Sequence, residues 1–270
     1  MNGSTRHANG DTSAFIRSLT TTLLASALAL SLPATAQEQG QQNQPGQQQA
    51  PTISTQVTNQ GAQAGAQVVD AVGELREATH DLSEVMIEAR ENFTVTGWKD
   101  KELRLQQIQQ ELQQMKETLH RNVRRSDEEW TRWMSGGDYR TQVSEQVNRL
   151  GDYLGEMARM VSSLKDNQSG APIVVGEKLV ETVSDLRASV SELVDALSAA
   201  GPQLGWQGEQ PRFADARRQL AELKEELDLK ANEAEDAWAT FIASPEFRVT
   251  IHDNIETLGQ IVKKLMPGDS

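Results

Sequence analysis

The sequence predicts an all-α protein: two tandem antiparallel three-helix bundles of coiled-coil type, related by an internal duplication. Three observations carry that expectation. Apolar residues recur in six stretches at alternating steps of three and four, the spacing of a helix packed along a seam. Each stripe is narrow and its other faces are densely polar, which suits slender bundles rather than one wide core. Sliding the chain until Gly97 falls on Gly205 also lays the second and third stripes on the fifth and sixth without a gap.

Residues 1–36 read as a signal peptide. Arg6 and Arg17 make a positive start, Ser18 to Leu32 is an apolar run rich in Leu and Ala, and Pro33 breaks it. Ala34-Thr35-Ala36 then offers small residues where a signal peptidase reads, so cleavage is expected between Ala36 and Gln37. The run is shorter than the roughly 20 residues a membrane span needs and holds several Ser and Thr. Residues 37–62 form a Gln-rich linker. Eight of the sixteen residues from Gln37 to Thr52 are Gln, with Pro and Gly among the rest, a composition that cannot bury a core and predicts disorder. Order is expected to begin around Gln63 to Val68.

The first three-helix unit spans 64–166. Its first stripe is Val72, Leu75, Thr79, Leu82, Met86, Ala89 and Phe93; its second runs from Leu105 through Leu119 and Val123 to Trp130 and Trp133; its third from Val143 to Leu164. The second unit spans 175–266. Its stripes run from Leu179 to Leu197, from Phe213 to Phe241, and from Ile251 to Leu265. Each middle helix is read as one piece of about 33 residues, or roughly 50 Å. Gly136-Gly137 should end the second helix, Asn167 to Pro172 separates the units, and Gly201-Pro202 should end the fourth helix. Ser244-Pro245 reads as an N-cap followed by Pro in the first helical turn.

Between 97–158 and 205–266, eleven of 62 aligned positions are identical. Gly97-Trp98 meets Gly205-Trp206, Trp130 meets Trp238, Arg140 meets Arg248, and Leu150-Gly151 meets Leu258-Gly259. With an offset three longer, Val72, Leu75, Arg76 and Leu82 meet Val183, Leu186, Arg187 and Leu193. The step from Leu119 to Val123 puts two fours in a row, a stutter that relaxes supercoil, and Leu227 to Ala231 repeats it. A three-helix unit of this length with Trp in its seams resembles the spectrin-type repeat in architecture. The Gly-rich joint near residue 170 departs from the continuous linking helix of such arrays. The two units can stack end to end or lie side by side; in the second case six helices form one domain.

Composition narrows the function. There are 26 Lys plus Arg against 39 Asp plus Glu, and the chain without residues 1–36 carries about −14. Such a surface repels phosphate backbones and anionic lipids, so no nucleic-acid partner is expected. With no cysteine there is no disulfide, thiol catalysis or thiolate metal site. No segment after the signal is long and apolar enough to span a membrane. Glu77 to His80 and Glu117 to His120 have the Glu-x-x-His spacing of di-iron bundles, but both lie off the seams and should face water. No nucleophile elbow, P-loop or dinucleotide fingerprint is present.

No catalytic, cofactor or metal residue is therefore expected. Trp98, Trp130, Trp206 and Trp238 are the candidate partner contacts, against a structural role in plugging bundle ends with each indole N–H on a loop carbonyl. Arg140 and Arg248 should bridge to carboxylates. The expected function is a non-enzymatic scaffold or interaction protein of the bacterial cell envelope, periplasmic or else secreted, with an envelope protein or itself as partner. One alternative is a bundle holding a small molecule or metal, for which Thr79, Asn122 and Ser126 are the hints. The other is self-assembly through exposed seams.

Overall fold

The computed structural model describes residues 52–89, 93–94, 98–123, 126–135, 137–163, 165–166, 172–231 and 235–266. The signal peptide, the Ala36–Gln37 junction and the start of the linker lie outside the described residues. So does the joint at 167–171. The protein is all-α apart from one two-residue strand pair. In order come α1 (Thr52–Ala89), β1 (Phe93–Thr94), α2 (Trp98–Val123), α3 (Asp127–Ser135), α4 (Gly137–Val161) and β2 (Lys165–Asp166). They are followed by α5 (Pro172–Leu204), α6 (Gln210–Ala231), α7 (Glu235–Ile242) and α8 (Pro245–Leu265), with a 3-10 turn at Gln207–Glu209.

Residues Gln49–Ser270 form one compact unit. Within each half the helices touch in the same pattern: α1 meets α2, α3 and α4, and α5 meets α6, α7 and α8. The most extensive contacts, however, join the halves. They are α1 with α5 and α4 with α8. The buried stripe residues accordingly make a single apolar cluster, from Val72, Leu75 and Leu82 through Leu150 and Leu154 to Leu186, Ile255 and Leu258.

The α4–α8 contact is close because two glycines meet there. A Cβ on Gly151 would stand 3.0 Å from the Gly259 carbonyl oxygen, and one on Gly259 would stand 3.1 Å from the Gly151 oxygen. A second matched pair lies at the other layer. Gly65 on α1 sits beneath Met134, and its counterpart on α5, Gly176, sits beneath Ile242.

Five details depart from the sequence expectations. Helix α1 begins at Thr52, inside the segment read as a disordered linker. Gln and Ala are good helix formers, so turns can extend from a packed helix without a seam of their own. The second helix is interrupted at Ser126, which lies outside both α2 and α3, just after the stutter; residues 232–234, between α6 and α7, lie outside the described residues. The starts of α3 and α7, Asp127 and Glu235, are matching positions. Phe93, read as the end of the first stripe, lies in β1, which pairs antiparallel with β2 (Phe93 with Asp166, Thr94 with Lys165). The exits from α1 and α4 emerge together there and share backbone hydrogen bonds. Helix α5 continues through Gly201-Pro202 to Leu204. It ends at Gly205, whose φ of 80° suits a left-handed cap, and the Trp206 N–H donates to the Gly201 carbonyl at 2.9 Å. That is the six-to-one bond of a Schellman ending. Finally, the Arg140 guanidinium lies against Gly205, where a Cβ would meet its Nη1 at 3.1 Å. The cap of one half is thus covered by a side chain of the other.

The Ser244 cap forms as read: the Phe247 N–H donates to Ser244 Oγ at 3.2 Å, with Pro245 in the first turn.

Candidate functional site

The polar grooves along the middle helices hold most of the chemistry-bearing side chains. One of about 630 Å³ lies between α2 and α4. Arg104 on α2 donates from Nε to Glu156 Oε2 at 2.7 Å and from Nη2 to Oε1 at 2.9 Å, a two-pronged clamp on α4. Its Nη1 reaches Glu111 Oε1 at 3.3 Å. The other Glu111 oxygen accepts a short hydrogen bond from the Tyr153 hydroxyl. The consequences for charge are consistent. The bond to Glu156 raises Arg104 further above its already high pKa. The Tyr153 bond, with Arg104 nearby, holds Glu111 below the usual carboxylate range. Burial, then the Glu111 bond, pushes the Tyr153 phenol up. The network joins a guanidinium, two carboxylates and a phenol, each bonded to another. It ties α2 to α4.

At the corresponding place in the second half, Arg212 and Lys264 share a groove of about 380 Å³ with Asp215 and Gln219. Lys264 stands where the first half has Glu156, and Gln219 where it has Glu111. Asp215 is held below the usual range by its bond from Arg218.

Trp130, Trp133 and Trp238 lie in matched aromatic clusters of the two halves. Trp133 packs edge-on against Tyr139 at 4.9 Å and lies 5.2 Å from Trp130. Phe241 packs edge-on against Phe247 at 5.6 Å and lies 5.8 Å from Trp238. Trp206 sits 6.1 Å from Tyr139, across the halves. Trp98 and Trp206 are buried, whereas Trp130 and Trp238 are half-buried. The expected loop carbonyl is missing for Trp98 and for Trp133, whose indole N–H groups are buried without a partner. The Tyr139 hydroxyl does find one, donating to the Gly65 carbonyl at 3.0 Å.

Along α1 and α5 carboxylates face one another. Glu74 is pushed up to about 7, first by its hydrogen bond with Glu192, then by burial and the charges of Glu192, Asp70 and Glu77. Asp185 is raised by burial and by Glu181 and Asp81. Asp185 is the second-half counterpart of Glu74, and Glu192 that of Asp81, so the two facing pairs match.

Of the two Glu-x-x-His pairs, only Glu77–His80 has both side chains among the described residues. Glu77 turns to Arg76 and Lys116, and the His120 side chain lies outside the described residues. A different pattern was overlooked in the sequence: His-Asp-x-x-Glu occurs at 80–84 and again at 252–256. In each case the three side chains converge on one helical turn, with ligand atoms within 4.8 Å of one another. His252 Nδ1 lies 2.8 Å from Asp253 and Nε2 lies 3.5 Å from Glu256. Both carboxylates of each trio face water, and the imidazoles are engaged with them, so the contacts read as polar contacts on a helix surface. Of the polar seam residues, Thr79 donates back to the Leu75 carbonyl at 2.7 Å and Ser126 meets Glu129. The Asn122 side chain lies outside the described residues.

No helix among the described residues is long and apolar enough to cross a membrane. The chain matches no protein-family model, no curated protein and no solved structure.

Proposed function

We propose that this is an exported, non-enzymatic helical scaffold or interaction protein of the bacterial cell envelope, made of two three-helix units from one duplication and acting in the periplasm. The observation that carries the reading is the closure of the Arg104–Glu156–Glu111–Tyr153 network. Groups that a hydrolytic or proton-transfer site would hold ready are bonded to one another instead, and they fasten one helix to the next. The apolar stripes are spent in the same way, inside the core. What remains for recognition is the long polar face of each helix. With a net charge of −13, those faces favour a positively charged partner. The signal-like first 36 residues support export. The duplication is supported by helix boundaries, glycine contacts and aromatic pairs that recur at matching positions of the two halves.

The test is fractionation combined with photo-crosslinking in cells from a water-facing position such as Glu84. A chain shortened at Gln37, found in the periplasm and linked to a discrete second protein, is the expected result. Retention in the cytoplasm at full length, or a periplasmic chain that links to nothing, would overturn it.

A further inference from the structure

Between α1 and α2 an exposed carboxylate, Glu77, lies beside two cations. Glu77 Oε1 accepts from Arg76 Nη2 at 2.9 Å and lies 3.9 Å from Lys116 Nζ. Arg187 and Lys224 are the second-half counterparts of Arg76 and Lys116, and both line the groove between α5 and α6. The residue corresponding to Glu77 is Ala188, and it lines the same groove. With the carboxylate absent a space of about 350 Å³ remains, the size of a small-ligand site.

The cations there are not equally spoken for. Arg217 is matched with the one carboxylate of the lining, its Nε donating to Asp195 Oδ1 at 2.8 Å. Arg187 Nη1 is buried with no hydrogen-bond partner, as is the Nε of its counterpart Arg76, but only Arg76 has a carboxylate beside another of its nitrogens. An unmet guanidinium N–H is costly to bury, because nothing replaces the water it lost. Lys224 has no ion pair among the described residues that would stand in for the Glu77–Lys116 contact.

We propose that the α5–α6 groove binds the carboxylate of a small organic acid, with Arg187 and Lys224 as its cationic contacts. Glu77 supplies the template, since in the first half a guanidinium and an ammonium already approach one carboxylate in this geometry. The Arg187 N–H groups present a directional fork and Lys224 a point charge, a pairing suited to a single carboxylate. Ser191, in the lining, offers a hydroxyl to the rest of the ligand. The volume favours a molecule of a few carbons over a peptide segment.

Glutarate, which ends as a Glu side chain does, is the probe, and backbone amide shifts of α5 in the whole chain are the readout. Saturable shifts centred on Arg187 to Ser191 are expected. Ala188→Glu should weaken them about tenfold or more, because the introduced carboxylate occupies the site. Ala188 is water-exposed, so that variant should keep its fold, which its unfolding temperature checks independently. Lys224→Gln should weaken binding as well. Absence of saturable shifts in the unaltered chain would overturn the proposal. So would equal shifts in Ala188→Glu, the mark of a general ion effect, or binding of an acidic peptide where glutarate does nothing.

Discussion

The two halves repeat the same packing contacts and line their polar grooves differently. In the first half Glu77 lies between Arg76 and Lys116, and Glu156 clamps Arg104. In the second half those two carboxylates are replaced by Ala188 and Lys264, and Arg212 lies in a groove beside a second cation. Glycine contacts, seam residues and aromatic pairs match across the halves. The difference teaches that the fold depends on the apolar and small positions, where volume is strictly limited, while polar groove positions are free to acquire separate roles.

The largest effect is expected where the halves meet. A Cβ on Gly259 would stand 3.1 Å from both the Gly151 oxygen and Leu154 Cβ, and 3.2 Å from the Gly155 nitrogen. Two of those atoms are backbone and cannot move aside without shifting α4. Gly259→Ala should therefore cost about 1–3 kcal/mol in thermal or denaturant unfolding. Gly155→Ala is the control. Its Cβ would meet only Arg159 Nη1 at 3.8 Å. That substitution should instead raise stability by up to about 1 kcal/mol through helix propensity. Equal effects would mean that the glycine crossing is not close.

The next effect separates the clamped Arg104 from its counterpart Arg212. Arg104→Gln removes the two-pronged bond to Glu156 and should cost about 1 kcal/mol, the upper end for such pairs, because both partners are mostly shielded and belong to a network. Arg212→Gln removes a single contact to Glu209 from a half-exposed Arg212 and should cost about 0.3 kcal/mol. Denaturant unfolding of the two variants compares them directly.

The smallest effect concerns the facing carboxylates of α1 and α5. The Glu74 carboxyl is raised from 4.5 to about 7, so the folded chain holds a proton that the unfolded chain releases between those values. Stability should thus be greatest below about pH 4.5, as far as this group is concerned, and should fall as pH rises to about 7. Glu74→Gln should flatten that slope and raise the unfolding temperature at pH 8. An unchanged slope would mean that Glu192 does not share a proton with Glu74.

Much of the fold was legible because seam spacing reports burial directly. Val72, Leu75, Leu105, Ile108, Val143, Leu150, Leu186 and Ile255 are all fully buried as their spacing requires. The cap at Ser244 was equally legible, since it needs only local chain geometry. The ends of α5 and of α2 were not. A stutter does not say whether a helix bends or breaks, and Pro202 is tolerated in a last turn that Gly205 completes. The side-by-side contact of the halves was beyond the stripes, which cannot name the partner helix. Its signal was Gly151 over Gly259, already visible as a repeated Leu-Gly pair. The α5–α6 groove was hidden for another reason: it arises from a difference, Ala188 in place of Glu77, whereas repeats draw attention to identities. Of the Trp residues named as partner contacts, Trp98 and Trp206 are buried, and Trp130 and Trp238 are half-buried.

The contrast between cations with Glu77 beside them and cations without it is tested most directly by removing Glu77. The measurement is the glutarate titration, read by backbone amide shifts, on Glu77→Ala. Two saturable sites are expected, the existing one around Arg187 on α5 and a new one around Arg76 on α1. Shifts confined to α5, with the α1 amides unmoved, would contradict the view that Glu77 fills in the first half the place left open in the second.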